Sequence, residues 1–444
     1  MQYIELHNVE YGECIVLGGG RGEILMVDCG SMNRVRREDG RELSLCVNEG
    51  ILERYRRAPS RAFLLSHCHR DHLSGFWNLL GKEPKYFNQI FLPASPCDHL
   101  GRALLLEFAL FVFVFLRDQT DYSRANIASL RLYERAARAS GPETVRGLAA
   151  GDSFTFDNVT YDVLWPRRED YPFSDLFANA VEELNVELSS PFLPSCAAKF
   201  QALKNEFCRA CCRAASGMPL TEEAVSACTS LLLQIDELAP QLNLLPPAPD
   251  VREILNRPVV RTAYADELNA ASLVFHNRRT QEASLDDILM TGDAAPETFD
   301  AIADQLYPGY YILKAPHHGT ASHWSHLFSE LSADHILIST GDYDKGGKIA
   351  PEYAEFPAVK HCTNAAPCDW CQSRGCSCNR MAVCYDLPSG PGLAIKCPFV
   401  RGVQNEAPCR IYLIGPSGRL PCLCDQAEPA RKSRTPRPAA NLGE

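Results

Sequence analysis

The chain has 444 residues, 46% of them hydrophobic, and a formal net charge of −11 at pH 7. This length favours two or three domains and a sizeable core. The acidic balance argues against broad, nonspecific binding to nucleic acid, although a local groove on an acidic protein can still be basic.

The amino-terminal part is predicted to form strands of the core. Residues 1–11 lack the basic start and apolar centre of a secretion signal, so we expect a cytoplasmic protein whose chain starts with a strand. Residues 23–27 form a further apolar segment, which ends at Asp28. A carboxylate at such a strand end is suited to orient a metal-binding imidazole through a hydrogen bond.

The most informative motif follows the apolar segment 62–65 and contains His67, His69, Asp71 and His72. Alternate side chains of an extended segment point the same way, so the first two histidines can bind one ion. Asp71 and His72 can then turn toward a second ion. The spacing therefore predicts half of a two-metal hydrolase site.

Two helical segments are predicted to interrupt the core. The first, about 98–155, includes the apolar residues 103–116, which are fewer than the roughly 20 residues of a membrane-spanning helix. We interpret this stretch as a buried helix, a lid or an interface element, and we expect no membrane partner. The second, about 167–266, contains helix-like runs at 197–215 and 221–238, and we expect it to shape access to the site.

Two later strands end in further metal-binding residue types. Residues 288–290 precede Asp293, a carboxylate that could bridge two cations, and residues 311–316 precede His317 and His318. Together with the Asp28 strand and the histidine motif, four strands are expected to end in ligands or in the residues that support them.

These residues resemble the metallo-β-lactamase superfamily, whose HxHxDH signature is matched by His67, His69, Asp71 and His72. The segments that carry the resemblance, in order, are GECIVLGGG, ILMVDCG, LLSHCHRDHLSG, YDVLWP, NAASLVFHN, ILMTGDA and LKAPHHGT. They are most similar to the branch that holds the hydrolase domain of the DNA-uptake channel ComEC and the phosphorylcholine esterases. The resemblance covers roughly residues 1–345 and implies an α/β fold, the four-layer αββα sandwich, with the two helical insertions.

The resemblance also implies two metal sites that share an aspartate. Their ligands would be His67, His69 and Asp293 for one ion, and Asp71, His72, Asp293 and His318 for the other. His317 would lie beside them, and which member of the His317–His318 pair binds metal stays open. Zinc suits the imidazoles best, and manganese is an alternative because the site is rich in carboxylates.

One departure from the superfamily pattern concerns the first metal. Many members supply a third histidine between the HxHxDH motif and the bridging aspartate, and this interval contains only His99 and His276. Neither is well placed as a ligand. The ComEC-like branch manages without this histidine, which would leave the first site open to water, as a catalytic metal requires.

Cysteines are the second unusual feature, because ten of the 20 fall between Cys362 and Cys424. Without a secretion signal, thiols tend to stay reduced, so metal binding explains them better than disulfides do. Within a Cys-rich module at 346–424, a structural zinc ion could be bound by Cys368, Cys371, Cys376 and Cys378, with Cys362, His361 or Cys384 as substitutes. The alternative is free or partly paired cysteines. The tail, 425–444, has the composition of a disordered segment.

The expected chemistry is hydrolysis by a metal-bound hydroxide. Asp71 would help to orient that hydroxide, and the member of the His317–His318 pair that does not bind metal would donate a hydrogen bond or a proton to the substrate. We expect a phosphodiesterase or nuclease acting on a nucleotide, a nucleic acid or a phosphorylated small molecule. Two alternatives stay open: an acyl hydrolase of lactones, thioesters or amides, and a metal-stabilised interaction protein in a multi-protein system such as bacterial defence.

Overall fold

A computed structural model of the chain describes most of its amino-terminal 363 residues and three short strands beyond them. The described residues are 1–32 without 2, 8 and 10, then 50–94, 129–168, 171–188, 195–214, 221–244, 257–279, 287–340, 349–363, 394–395, 411–415 and 418–420.

The strands form two mixed sheets. The first sheet contains β1 Tyr3–His7, β2 Ile15–Gly18, β3 Ile24–Val27, β4 Arg61–Leu64, β5 Gln89–Pro93, β6 Val145–Leu148, β14 Ala394–Ile395, β15 Ile411–Gly415 and β16 Gly418–Leu420. The second contains β7 Ser153–Phe156, β8 Val159–Trp165, β9 Val274–Asn277, β10 Ile288–Met290, β11 Gly309–Lys314, β12 Ser332–Ile338 and β13 Val359–Cys362. Their strand orders are β14-β16-β15-β1-β2-β3-β4-β5-β6 and β13-β12-β11-β10-β9-β8-β7.

The helices lie between and after these strands. They are α1 (50–55), α2 Arg70–Lys82, α3 Ser129–Ser140, α4 Asp175–Leu188, α5 Ser195–Ala214, α6 Glu222–Leu244, α7 Pro258–Ala270, α8 Pro296–Ala301 and α9 Pro351–Glu355. The part of the chain that the structure describes contains no helix long and apolar enough to cross a bilayer.

The two sheets enclose a common apolar core. Side chains such as Leu6 and Val27 from the first sheet meet Phe275 and Ile312 from the second, and each is at most 2% exposed. Strands such as β3 and β10 are apolar throughout and buried along their whole length. Strands covered on both faces have this composition, so the fold is mixed α/β and compatible with an α/β sandwich.

Helices cover the outer faces of both sheets. On the first sheet, Phe63 of β4 stacks on Phe76 of α2, with ring centroids 3.8 Å apart. On the second, Phe200 of α5 and Tyr264 of α7 belong to one buried cluster with Leu289 of β10. The predicted insertion at about 167–266 is therefore helical where it is described, and it extends the apolar core of the second sheet.

The other predicted insertion, about 98–155, requires a correction. Its described part is α-helical as far as Ser140 and has a 3-10 turn at Pro142–Thr144, and its last residues belong to β6 and β7, which pair with β5 and β8. These short segments become strands because neighbouring strands supply backbone partners, and that pairing is not visible in local composition. Residues 103–116 lie outside the described residues.

Strand pairing also crosses the boundary predicted at residue 345. β13 pairs in parallel with β12, and β15 pairs in parallel with β1 near the opposite end of the chain. Within the predicted Cys-rich module, β14, β15 and β16 extend the first sheet. The four cysteines of the predicted zinc cluster and the tail 425–444 lie outside the described residues.

The topology explains how distant residues meet. β3 and β4 are parallel neighbours in the first sheet, and β10 and β11 are parallel neighbours in the second. Carboxyl ends of parallel neighbours lie at the same edge of a sheet. The residues that follow these four strands are the ones singled out from the sequence.

Candidate metal centre

The carboxylate of Asp293, in the loop after β10, lies at the centre of a cluster of imidazoles. Its Oδ2 atom is 3.2 Å from Nε2 of His72, 3.7 Å from Nε2 of His318, 3.8 Å from Nε2 of His317 and 3.9 Å from Nε2 of His67. Asp293 itself is 1% exposed. The sequence prediction that these distant residues converge is therefore confirmed.

Gly292 allows Asp293 to turn into this position. Its φ of +50° is in the left-handed region, which favours glycine. A Cβ atom at this position would lie 2.8 Å from Cβ of Ser272 and 2.9 Å from Cβ of Ser66. Ser272 Oγ in turn accepts a hydrogen bond from the Asp293 amide. A side chain at position 292 therefore has no room beside Ser66, in the loop after β4, and Ser272.

Asp28, after β3, anchors two of the imidazoles. Its Oδ2 is 2.7 Å from Nδ1 of His72 and accepts a hydrogen bond of 2.6 Å from Ser66 Oγ, while Oδ1 accepts the Ser66 amide at 2.7 Å. Ser66 Oγ is also 3.0 Å from Nδ1 of His67. The supporting role expected for Asp28 therefore has its geometry in the structure, and it directs Nε2 of both histidines away from the anchor.

His318, after β11, is oriented in the same way by its backbone neighbour. Its Nδ1 lies 2.7 Å from the carbonyl oxygen of Ser339, an acceptor, so this nitrogen carries a proton. Its Nε2 faces Oδ2 of Asp71 at 3.2 Å. In a neutral imidazole, Nε2 then presents a lone pair to a carboxylate, an arrangement that needs a proton or a cation between the two atoms.

The distances also fit the requirements of a metal ion. Ligands about 2.0–2.1 Å from a tetrahedral zinc ion are about 3.3 Å from one another. Among the described residues, three groups of side chains have ligand atoms that lie within 4.8 Å of one another. Two of them, His67 with His72 and Asp293, and Asp71 with His72 and His318, lie around Asp293, and the third is formed by Glu13, Asp28 and His72. The Nε2 atoms of His67 and His72 are buried and make no hydrogen bond among the described residues. The residues present therefore fit one or more divalent ions.

Burial and neighbouring charges give the ligands suitable protonation states. Burial, with the charge of His72, holds the pKa of His67 well below its usual range, so this imidazole is neutral, as metal binding requires. Burial opposes the ionisation of Asp71, but its hydrogen bond to His318 and the charge of His72 outweigh burial and lower the pKa of Asp71 to about 2. For His72, the carboxylates of Asp293 and Asp28 outweigh burial and raise its pKa well above the usual range. A bound cation would take the place of the proton on that imidazole.

Two predicted site residues lie at the margin of the cluster. His69 is half-buried and its ring centroid is 4.7 Å from that of His67, but its ligand atoms belong to neither group, so its role as a ligand stays a prediction. The side chain of His317 is 25% exposed, and its Nδ1 is 2.8 Å from Thr320 Oγ1. Of the His317–His318 pair, only His318 contributes to a ligand group.

His276 contacts residues of the second sheet and lies outside the cluster around Asp293. It lies in β9, where its Nδ1 is 3.0 Å from the Tyr310 hydroxyl and its ring stacks on Tyr307, with centroids 4.2 Å apart. This agrees with the expectation that it is poorly placed as a ligand. His99, the other histidine of that interval, lies outside the described residues.

Three residues of the site were not predicted from the sequence. Lys314, the last residue of β11, is fully buried and forms ion pairs with Glu13 Oε2 at 2.7 Å and with Asp293 Oδ1 at 3.4 Å. The ring centroid of His323 lies 4.0 Å from that of His317. A lysine within the apolar run YYILKAP and a glutamate before the apolar run CIVLG were the available signals, because a charge in a buried strand needs a partner.

In comparisons with known proteins, no family model matches this sequence and no curated protein sequence matches it either.

Proposed function

We propose that this protein is a metal-dependent hydrolase that binds two divalent ions, zinc or manganese, at the cluster around Asp293. The observation that carries the proposal is the pair of ligand groups that share His72 and surround one carboxylate oxygen of Asp293. A structural ion needs only one closed set of ligands, whereas two adjoining sets around one carboxylate are typical of dinuclear hydrolases.

The fold that we propose is the four-layer αββα sandwich of the metallo-β-lactamase superfamily. Two features support this assignment. The two sheets pack face to face with helices on both outer surfaces. The HxHxDH segment follows the inner strand β4, while Asp293 and His318 follow β10 and β11. This combination of layers and strand-end ligands is what the resemblance of the sequence motifs implies.

The side chains of the site then have distinct roles. His67, His72 and Asp293 would hold one ion, and Asp71 and His318 would hold the other, with His72 and Asp293 at their junction. Ions bound there lower the pKa of water and stabilise negative charge on a substrate oxygen. Asp71 would accept a hydrogen bond from the attacking water and so orient it. Its low pKa keeps it an acceptor at neutral pH.

His317 is the residue that we assign to the substrate side. It is the most exposed of the four imidazoles around Asp293, and burial lowers its pKa to about 3, so it is neutral near pH 7. In the tautomer in which the Thr320 hydroxyl donates to Nδ1, Nε2 carries the proton and is the atom that would donate to a substrate oxygen. A phosphodiester suits this arrangement because its two non-bridging oxygens need both a cation and a donor.

The test is metal-dependent hydrolysis. Purified protein, stripped of metal and then supplied with zinc or manganese, is assayed on a generic phosphodiester, a phosphomonoester, single-stranded DNA and a thioester. We expect phosphodiester hydrolysis that is lost on chelation, restored by metal, and reduced at least about 100-fold by Asp293→Asn. His326→Ala alters an exposed histidine outside the cluster and serves as the control. Full activity of Asp293→Asn, or thioester hydrolysis alone, would overturn the proposal.

A further inference from the structure

The ammonium group of Lys314 is enclosed by three oxygens in the interior of the protein. It donates hydrogen bonds to the Gly292 carbonyl at 2.6 Å and to Asp293 Oδ1 at 3.4 Å, and it forms an ion pair with Glu13 Oε2 at 2.7 Å. Lys314 is fully buried and Glu13 is 1% exposed. The two hydrogen bonds and the ion pair together hold the ammonium group in place.

The two oxygens of Asp293 consequently have different neighbours. Oδ1 faces Lys314, whereas Oδ2 faces the imidazoles of His72 and His318 at 3.2 and 3.7 Å. The Asp293 amide is held separately, by Ser272 Oγ at 3.0 Å. The carboxylate therefore cannot rotate without breaking its contact with a buried cation whose own position is fixed by Glu13.

We propose that Lys314, held by Glu13, is a positioning residue that keeps Asp293 Oδ1 away from the metals and presents Oδ2 alone as the bridging ligand. This inference rests on the metal site of the proposed function and adds the means by which its shared ligand is oriented. Lys314 acts on the site through Asp293 Oδ1, and Glu13 acts through Lys314. Glu13 also forms a group with Asp28 and His72 whose ligand atoms lie within 4.8 Å of one another.

The charge of Lys314 taken alone would weaken metal binding, whereas its positioning role would strengthen it. A positive charge next to a site for divalent cations repels them, so removing only that charge would tighten metal binding. Removing the pair together leaves the net charge of the site unchanged, and any loss of metal affinity then reports the lost orientation of Asp293. Changes of groups that orient metal ligands typically cost about 10- to 100-fold in affinity.

The experiment uses the full chain with two charge-conserving double variants. Glu13→Gln with Lys314→Met removes the ion pair beside the metal cluster. Arg279→Met with Asp287→Asn removes a second ion pair, at 2.8 Å, near the opposite ends of β10 and β11, and serves as the matched control. Zinc affinity and stoichiometry are measured by competition with a chromophoric chelator, and the fold of the metal-free protein is followed by circular dichroism.

We expect the Glu13/Lys314 variant to bind zinc about 10- to 100-fold more weakly than the parent, with the control within about threefold. A second variant, Glu13→Gln with Lys314→Gln, covers the case in which methionine prevents folding. The same weakening is expected, because glutamine is too short to hold Asp293 Oδ1. Parent-like zinc affinity in the variants, or equal weakening in the control, would overturn the positioning role and leave the proposed function intact. A parent protein that binds neither zinc nor manganese would overturn both.

Discussion

Asp28 provides the sharpest single test of how the imidazoles are oriented. Its carboxylate contacts Nδ1 of His72 at 2.7 Å, Ser66 Oγ at 2.6 Å and the Ser66 amide at 2.7 Å, and it is fully buried. Its φ of +56° is in the left-handed region, where asparagine is tolerated and alanine is strained. Asp28→Asn therefore removes the charge and one acceptor oxygen without adding backbone strain.

The expected consequence is a loss of metal affinity. In Asp28→Asn an amide NH2 group replaces an oxygen that faces both Ser66 and His72, so at least one of those contacts is lost. Orienting groups of this kind contribute about 10- to 100-fold to metal affinity, which corresponds to about 1.4 to 2.7 kcal/mol. We expect zinc binding and phosphodiester hydrolysis to fall together by a factor in this range.

The assay is a zinc titration of metal-free protein, with Asp157→Asn as the control. Asp157 also has a positive φ of +50°, and it accepts the Gly20 amide at 3.0 Å and pairs with the terminal ammonium of Met1 at 2.7 Å. It thus resembles Asp28 in backbone and bonding, but its partners Gly20 and Met1 belong to neither ligand group. Unchanged zinc affinity in Asp28→Asn, or an equal loss in Asp157→Asn, would refute the reasoning.

Three further predictions concern stability. Gly292→Ala is expected to destabilise the protein by about 2 kcal/mol or more, because its Cβ would meet Ser66 and Ser272 at a positive φ; urea unfolding measures this, and an unchanged midpoint would contradict it. Phe63→Ala, which removes a ring stacked on Phe76, is expected to cost about 3 to 5 kcal/mol in the same assay, and a cost below about 1 kcal/mol would show that this interface does not stabilise the fold. Burial raises the pKa of Glu5, but His7, Arg54 and Tyr55 outweigh burial and lower this pKa below its ordinary value of 4.5. The ionised Glu5 side chain therefore stabilises the fold above about pH 4.5, and this stabilisation is lost as the pH falls through the lowered pKa of the folded protein. Glu5→Gln should therefore reduce the free energy of unfolding at pH 7 and flatten its decrease on acidification; a parallel curve for variant and parent would contradict the assignment.

The sequence was sufficient to predict which side chains converge at this site because their signals are local. Each of these residues follows a short apolar segment. A histidine or aspartate that follows a buried strand lies at the edge of the sheet, outside its apolar core. His67, His72 and Asp293 can each be singled out from such a local pattern. The ends of parallel neighbouring strands coincide by topology, which is why their convergence could be expected as well.

What the sequence could not supply is the pairing of groups that are far apart along the chain. In the sequence, Glu13 and Lys314 are each a single charge beside or within an apolar segment. They form an ion pair because the two sheets pack against each other. The pairing of β15 with β1 was missed for the same reason, since backbone hydrogen bonds between distant strands leave no trace in local composition. The end of the first helical insertion was misjudged because β6 and β7 are four residues each.

The most direct test of the central claim is the metal content of purified protein before and after Asp293→Asn. Element analysis of both proteins, prepared in the same zinc-containing buffer and desalted together, gives the number of ions that depend on this carboxylate. The account predicts that the parent retains about two more zinc ions per chain than the variant, because in the proposed site both ions would depend on the Asp293 carboxylate. Equal zinc content in two equally folded proteins would contradict it.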